Sequence, residues 1–103
     1  MPRITRETER VLAALFRELG EWRYGLELGK EAGLRSGTLY PILGRLEDAG
    51  WVESEWEQID ESTAGRRARR YYRLTGEGEL VARDALKETA AQFAALRPGW
   101  GNA

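Results

Sequence analysis

Hydrophobic positions recur along this chain with two periods, and the switches between them outline its elements. From Thr5, a residue suited to capping a helix N-terminus, Val11, Leu12, Leu15, Phe16 and Leu19 follow at helical spacing until Gly20. Glu7 and Glu9 fall in the first turn and suit the positive end of the helix dipole, while Arg3 and Arg6 oppose it. A second, shorter helix is expected over residues 24–32, with Leu28 and Ala32 inward and Gly33 as its stop. Glycines at 25, 29 and 33 weaken its intrinsic helicity, so tertiary packing must hold it. A third helix follows Leu34 and Arg35 and ends at Gly50. Leu39, Ile42, Leu43 and Leu46 form its apolar face, Thr38, Pro41, Arg45 and Asp48 lie on the other, and Pro41 is expected near the first turn.

From Trp51 the period changes to two. Val52, Ser54 and Trp56 alternate with Trp51, Glu53, Glu55 and Glu57, and a similar pattern returns over residues 67–74, with Ala68, Arg70, Tyr72 and Leu74 on one face. The polar loop at 58–65 makes these runs a β-hairpin, and Arg70 is expected to mark the exposed start of its second strand. Thr75 then caps a long helix reaching about Arg97, before Pro98 and Gly99. Ala82, Leu86, Thr89, Phe93 and Leu96 recur along it at gaps of four and three, a seam that a second helix would cover.

Three helices followed by a hairpin is the order of a winged helix-turn-helix. The expected fold is therefore mainly α with a small β-hairpin. A winged helix-turn-helix region spans 1–74, a C-terminal dimerisation helix 75–98 and a tail 99–103, all within one structural domain. A length of 103 residues, with 42% hydrophobic and 32% charged positions, suits one modest core. With neither an apolar run of membrane length nor a signal-peptide layout, a cytoplasmic location is expected.

Cysteine and histidine are both absent, which removes disulfides, thiolate nucleophiles, imidazole bases and the usual zinc ligands. The carboxylates sit on a strand and at helix starts, without the buried pairing that tunes a catalytic pKa. Gly76-x-Gly78 lacks the following Lys-Ser or Lys-Thr of a phosphate loop. Neither an enzyme nor a cofactor or metal is expected.

A formal net charge of −1 and a pI of 5.6 argue at first against a polyanionic partner. The distribution changes that picture. Residues 53–61 carry five acids and no base, whereas Arg66, Arg67, Arg69, Arg70 and Arg73 follow without an acid among them. The outward side of the third helix is small or polar: Ser36, Gly37, Thr38, Tyr40, Pro41 and Arg45. Glycine at 37 lets that helix N-terminus approach a phosphate, where free amides and the dipole favour negative charge.

Tyr24-Gly25, then Ser36-Gly37-Thr38-Leu39-Tyr40-Pro41-Ile42-Leu43, Arg45-Leu46-Glu47 with Gly50, and later Gly65-Arg66-Arg67 and Tyr71-Tyr72-Arg73-Leu74-Thr75-Gly76-Glu77-Gly78 form a specific combination. The chain resembles, from about Val11 to Gly78, the PadR family of bacterial transcriptional regulators, in its compact branch with one C-terminal helix. The resemblance implies a homodimer, usually a repressor, joined through the C-terminal helix, bound to a double-stranded operator and released by a small molecule or another signal. It implies that Tyr40 touches a backbone phosphate, that Thr38 and Arg45 face the groove, and that Arg66 and Arg67 lie on the wing. Some members resemble sensors that stack planar aromatic ligands at the dimer centre, which makes Phe93 and Trp100 candidate ligand contacts. On that reading, Arg66→Ala weakens binding to all DNA alike, whereas Thr38→Val changes which sequences are preferred.

Each assignment has a structural alternative. Tyr40 could pack in the core. The arginine run could pair across the sheet with Glu53, Glu55 and Glu57, or divide, with Arg69 and Arg73 paired while Arg66 and Arg67 reach out from the wing tip. Phe93 is better explained as dimer core than as a ligand contact. A second function also fits the charge pattern: an interaction module whose acidic stretch at 53–61 docks a basic protein and which does not bind DNA.

Overall fold

The computed structural model describes residues 2–96. Its elements run α1 (Arg6–Arg17), β1 (Arg23–Tyr24), α2 (Gly25–Ala32), α3 (Ser36–Asp48), β2 (Val52–Trp56), α4 (Glu61–Ala64), β3 (Arg70–Leu74) and α5 (Gly76–Ala95). This is a winged helix extended by a long C-terminal helix. Thr5 caps α1 and Thr75 caps α5, each hydroxyl accepting from the amide three residues on. Gly33 ends α2 in the left-handed conformation, at φ 69°, which lets the chain turn sharply into α3.

One core joins the helices to the sheet. Val11, Leu12 and Leu15 of α1, Leu28 of α2 and Leu39, Leu43 and Leu46 of α3 meet Trp51, Val52 and Leu74 of the sheet region, all of them buried. Ala82 of α5 is fully buried in the same cluster. It therefore belongs to the chain's own core rather than to the expected dimerisation seam, a correction that follows from the way α5 packs across α1.

The sheet has three antiparallel strands in the order β1-β3-β2, not the two of a simple hairpin. Arg23 pairs with Tyr72 and Tyr24 with Tyr71 on one side of β3, while Val52, Ser54 and Trp56 face Leu74, Tyr72 and Arg70 on the other. Strand β1 is two residues long, too short to show a period of two. A buried cation anchors it: the Arg23 guanidinium is 6% exposed, donates to the Ala14 carbonyl at 2.9 Å, and pairs with Glu18 at 3.1 Å and with Glu31. Those acceptors satisfy a charge that would otherwise be costly to bury.

Three local expectations change. The loop at 58–65 contains the turn of helix α4, capped by Asp60. Helix α1 ends at Arg17, leaving Leu19 exposed. Because α3 starts at Ser36, Pro41 sits in its second turn rather than its first, and the Gly37 carbonyl loses its intrahelical donor. Gly37 is exposed, so water can serve that carbonyl.

Candidate nucleic-acid interface

Burial of Leu39, Ile42, Leu43 and Leu46 fixes the rotation of α3 and turns its other side outward. Ser36, Gly37, Thr38, Pro41 and Arg45 are all exposed there. Arg35 occupies the N-cap without a side-chain capping bond, and its carbonyl receives the amides of Thr38 and Leu39 at 3.0 and 2.9 Å. The amides of Ser36 and Gly37 are thus left to solvent or an anion.

Tyr40 is 41% exposed, so it is not a core residue. Its ring rests on Gly25, where an added Cβ would come within 2.8 Å of the phenolic oxygen. The glycine opening α2 therefore sets the position of the tyrosine. Beyond Tyr40, toward the wing, lies an open groove of about 590 Å³ lined by Tyr24, Tyr40, Trp56, Ala68, Tyr72 and the arginines 66, 67, 69 and 70. No carboxylate is in that lining.

The four arginines are held differently. Arg66 makes a two-pronged contact with Glu57, with Nη1 donating to Oε1 at 2.7 Å and Nη2 to Oε2 at 3.1 Å. Arg69 lies over Tyr24 with its guanidinium carbon 4.8 Å from the ring centre. Arg70 donates to Ser54 Oγ at 2.7 Å and stacks over Trp56 at 5.0 Å, while Ser54 Oγ donates to Glu47 at 2.6 Å. Arg67 is exposed and has no ion pair among the described residues. Its partnerless state fits the expected division of the arginines, and so does Arg73, which pairs with Glu53. Arg66 and Arg69 do not fit: Arg66 is folded back onto Glu57 rather than reaching out from the wing tip, and Arg69 lies over Tyr24 with no ion pair among the described residues.

Arg70 also departs from expectation. It is half-buried rather than an exposed strand start, because Ser54 and Glu47 accept its charge from β2 and α3. The sequence did not disclose this relay, although a serine between Val52 and Trp56 on one face of β2 was its visible signal. The Glu57 carboxyl is lowered from 4.5 to about 2, first by the hydrogen bond from Arg66 and also by the Arg69 amide. Burial, partly offset by nearby Arg70, raises the Tyr72 phenol above its ordinary value.

The acidic stretch is largely engaged within the chain. Glu53 pairs with Arg73, Glu57 with Arg66, the Glu61 carboxylate accepts from the Ala68 amide at 2.6 Å, and Asp60 caps α4. On the seam of α5, Leu86 and Thr89 are half-buried while Phe93 and Leu96 are 71% and 80% exposed. Trp100 lies outside the described residues.

A sequence profile of the transcriptional regulator PadR-like family matches residues 11–84. The chain belongs to that family. This PadR-like regulator is similar in structure to a PadR-like transcription factor from Bacteroides fragilis, with 28% identity, a TM-score of 0.62 and coverage of 87% of this chain and 88% of that one. It is similar also to a PadR family transcription regulator from Clostridium difficile R20291, at 25% identity and a TM-score of 0.65 over 88% and 92% of the two chains. The crystal structure of NadR in complex with 4-hydroxyphenylacetate aligns at 26% identity and a TM-score of 0.69; it covers 89% of the PadR-like chain, which spans 60% of NadR. No curated protein sequence matches. Among the described residues, no helix is long and apolar enough to cross a membrane, and no group of acidic side chains is placed to hold a metal ion.

Proposed function

We propose that this PadR-like protein is a sequence-specific DNA-binding repressor that acts as a homodimer on a palindromic operator. The observation that carries the reading is the groove between α3 and the wing, lined by four aromatics and four arginines, of which Arg67 and Arg69 have no ion pair among the described residues, beside an uncapped helix N-terminus. Phosphates suit both features. Thr38, Pro41 and Arg45 face outward to read bases, Ser36, Gly37 and Tyr40 meet backbone, and Arg67 extends the contact along the wing.

The dimer rests on α5. The molecule measures 60 × 25 × 24 Å, and the end of α5 carries Phe93 and Leu96, which are largely uncovered among the described residues. A second copy of the helix would bury both. Two-fold symmetry would then set the recognition helices about 34 Å apart, one on each half-site. Release by a small aromatic molecule belongs to the same reading, the ligand competing with the second helix for Phe93. The internal engagement of the acidic stretch weighs against a docking module for basic proteins.

Footprinting on the DNA upstream of the protein's own gene, at low and moderate salt, tests the proposal. A protected palindrome whose affinity falls with salt is expected. Absence of protection at either salt would overturn it.

A further inference from the structure

Resting on the DNA-binding reading, we infer that Glu57 is an internal stand-in for a DNA phosphate, which occupies Arg66 in the free protein and so weakens attachment to non-specific DNA. Glu57 would then be a specificity-determining residue that touches no DNA.

The geometry is that of phosphate recognition turned inward. Arg66 offers Glu57 two parallel N–H donors, at 2.7 and 3.1 Å, the fork that suits a carboxylate and a phosphate alike. Glu57 is held in place for this contact. Its Oε1 also accepts from the Arg69 amide at 3.2 Å, and the Glu57 amide itself bonds the Arg69 carbonyl at 2.8 Å. The hydrogen bond from Arg66 lowers the carboxyl from 4.5 to about 2, which reinforces the ionised form.

Arg66 still borders the groove and is 38% exposed, so an incoming phosphate can reach it. To do so, that phosphate must displace a carboxylate already tethered alongside. On random DNA the wing meets the backbone without a fixed register, and the tethered carboxylate keeps the arginine. On an operator the seated recognition helix holds one phosphate beside the wing, so its local concentration rises and the exchange becomes favourable. Arg67, next in sequence, has no ion pair among the described residues. The protein therefore presents fewer free cations to random DNA than its arginine run suggests, in keeping with its net charge of −1.

The test is a salt titration of binding to a random-sequence duplex, read by fluorescence anisotropy, for the wild type, Glu57→Gln, Arg66→Ala and the double variant. Glutamine retains an oxygen for the Arg69 amide, so the wing loop keeps that bond. Glu57→Gln is expected to tighten random-duplex binding and to steepen the salt slope by about 0.9 per protomer, so its advantage over wild type shrinks about threefold per protomer between roughly 50 and 200 mM salt. Arg66→Ala is expected to abolish the gain, so the double variant should show the salt slope of Arg66→Ala alone rather than that of Glu57→Gln. Arg66→Lys provides an independent arm: one ammonium cannot satisfy both carboxylate oxygens, so random binding should also tighten.

An unchanged slope in Glu57→Gln, or a gain that survives in the double variant, would overturn the inference while leaving the DNA-binding reading intact. Wild type that binds no duplex even at low salt would overturn both.

Discussion

Gly78 places α5 on the winged helix, and Gly78→Ala should expose how little room that junction has. A Cβ at this position would lie 1.8 Å from the Trp51 carbonyl oxygen and 2.6 Å from its carbon. Ordinary C···O contact begins near roughly 3.3 Å, so α5 would have to retreat by about 1.5 Å. The obstacle is backbone, and no side-chain rotation relieves it. Trp51 is 2% exposed and its carbonyl accepts the Thr75 amide at 3.0 Å, so the retreat disturbs both the core and the cap of α5.

Overpacking costs about 1–3 kcal/mol, here toward the upper end, and the strained hydrogen bond adds about 1. Alanine's better helix propensity returns about 1. The net loss is about 2–3 kcal/mol, which for a chain of this size lowers the melting temperature by roughly 10–20 °C. Thermal unfolding followed by circular dichroism, at one fixed protein concentration, measures it. Gly44→Ala is the control: Gly44 is a helical glycine with nothing within 4 Å of an added Cβ, and the change should stabilise by up to about 1 kcal/mol. If Gly78→Ala melts at or above the wild-type temperature, the described seat of α5 on Trp51 is wrong.

Other expectations follow from the same geometry. Ser54→Ala removes the hydroxyl that joins Glu47 to Arg70 and should cost about 1–2 kcal/mol in urea unfolding; a midpoint equal to wild type would show that the relay does not stabilise the wing. Phe93→Asp places a charge on the exposed end of α5 and should convert a species of twice 11.7 kDa into a monomer in sedimentation equilibrium; equal masses for the two proteins would remove α5 as the dimer surface. The Glu57 carboxyl, lowered from 4.5 to about 2, contributes to wing stability fully above pH 4.5 and loses that contribution as pH falls toward 2. Its carboxyl carbon should titrate near 2 by NMR, and a midpoint near 4.5 would mean that the Arg66 contact does not persist in solution.

Caps and periodicity alone determined the order of the main elements. Thr5 and Thr75 before apolar repeats, glycines after them, and a change from helical to two-residue spacing at Trp51 are local signals, set within a turn or a strand. The outward side of α3 was legible for the same reason: four apolar residues on one face leave Thr38, Pro41 and Arg45 on the other. Tertiary structure decided the rest. A two-residue strand has no period to read, so β1 emerged only from its pairing with β3. Whether Ala82 lay in the core or on the expected dimer seam depended on where α5 crosses α1, which no spacing within α5 encodes. The arginine run could be counted from the sequence, but its allocation could not. Cross-strand register matched Arg73 to Glu53, the course of the wing loop brought Arg66 to Glu57, and the packing of α3 against β2 brought Glu47 to Ser54 and Arg70. A charge pair is fixed by distance in space, and here the partners stand nine to twenty-three residues apart along the chain.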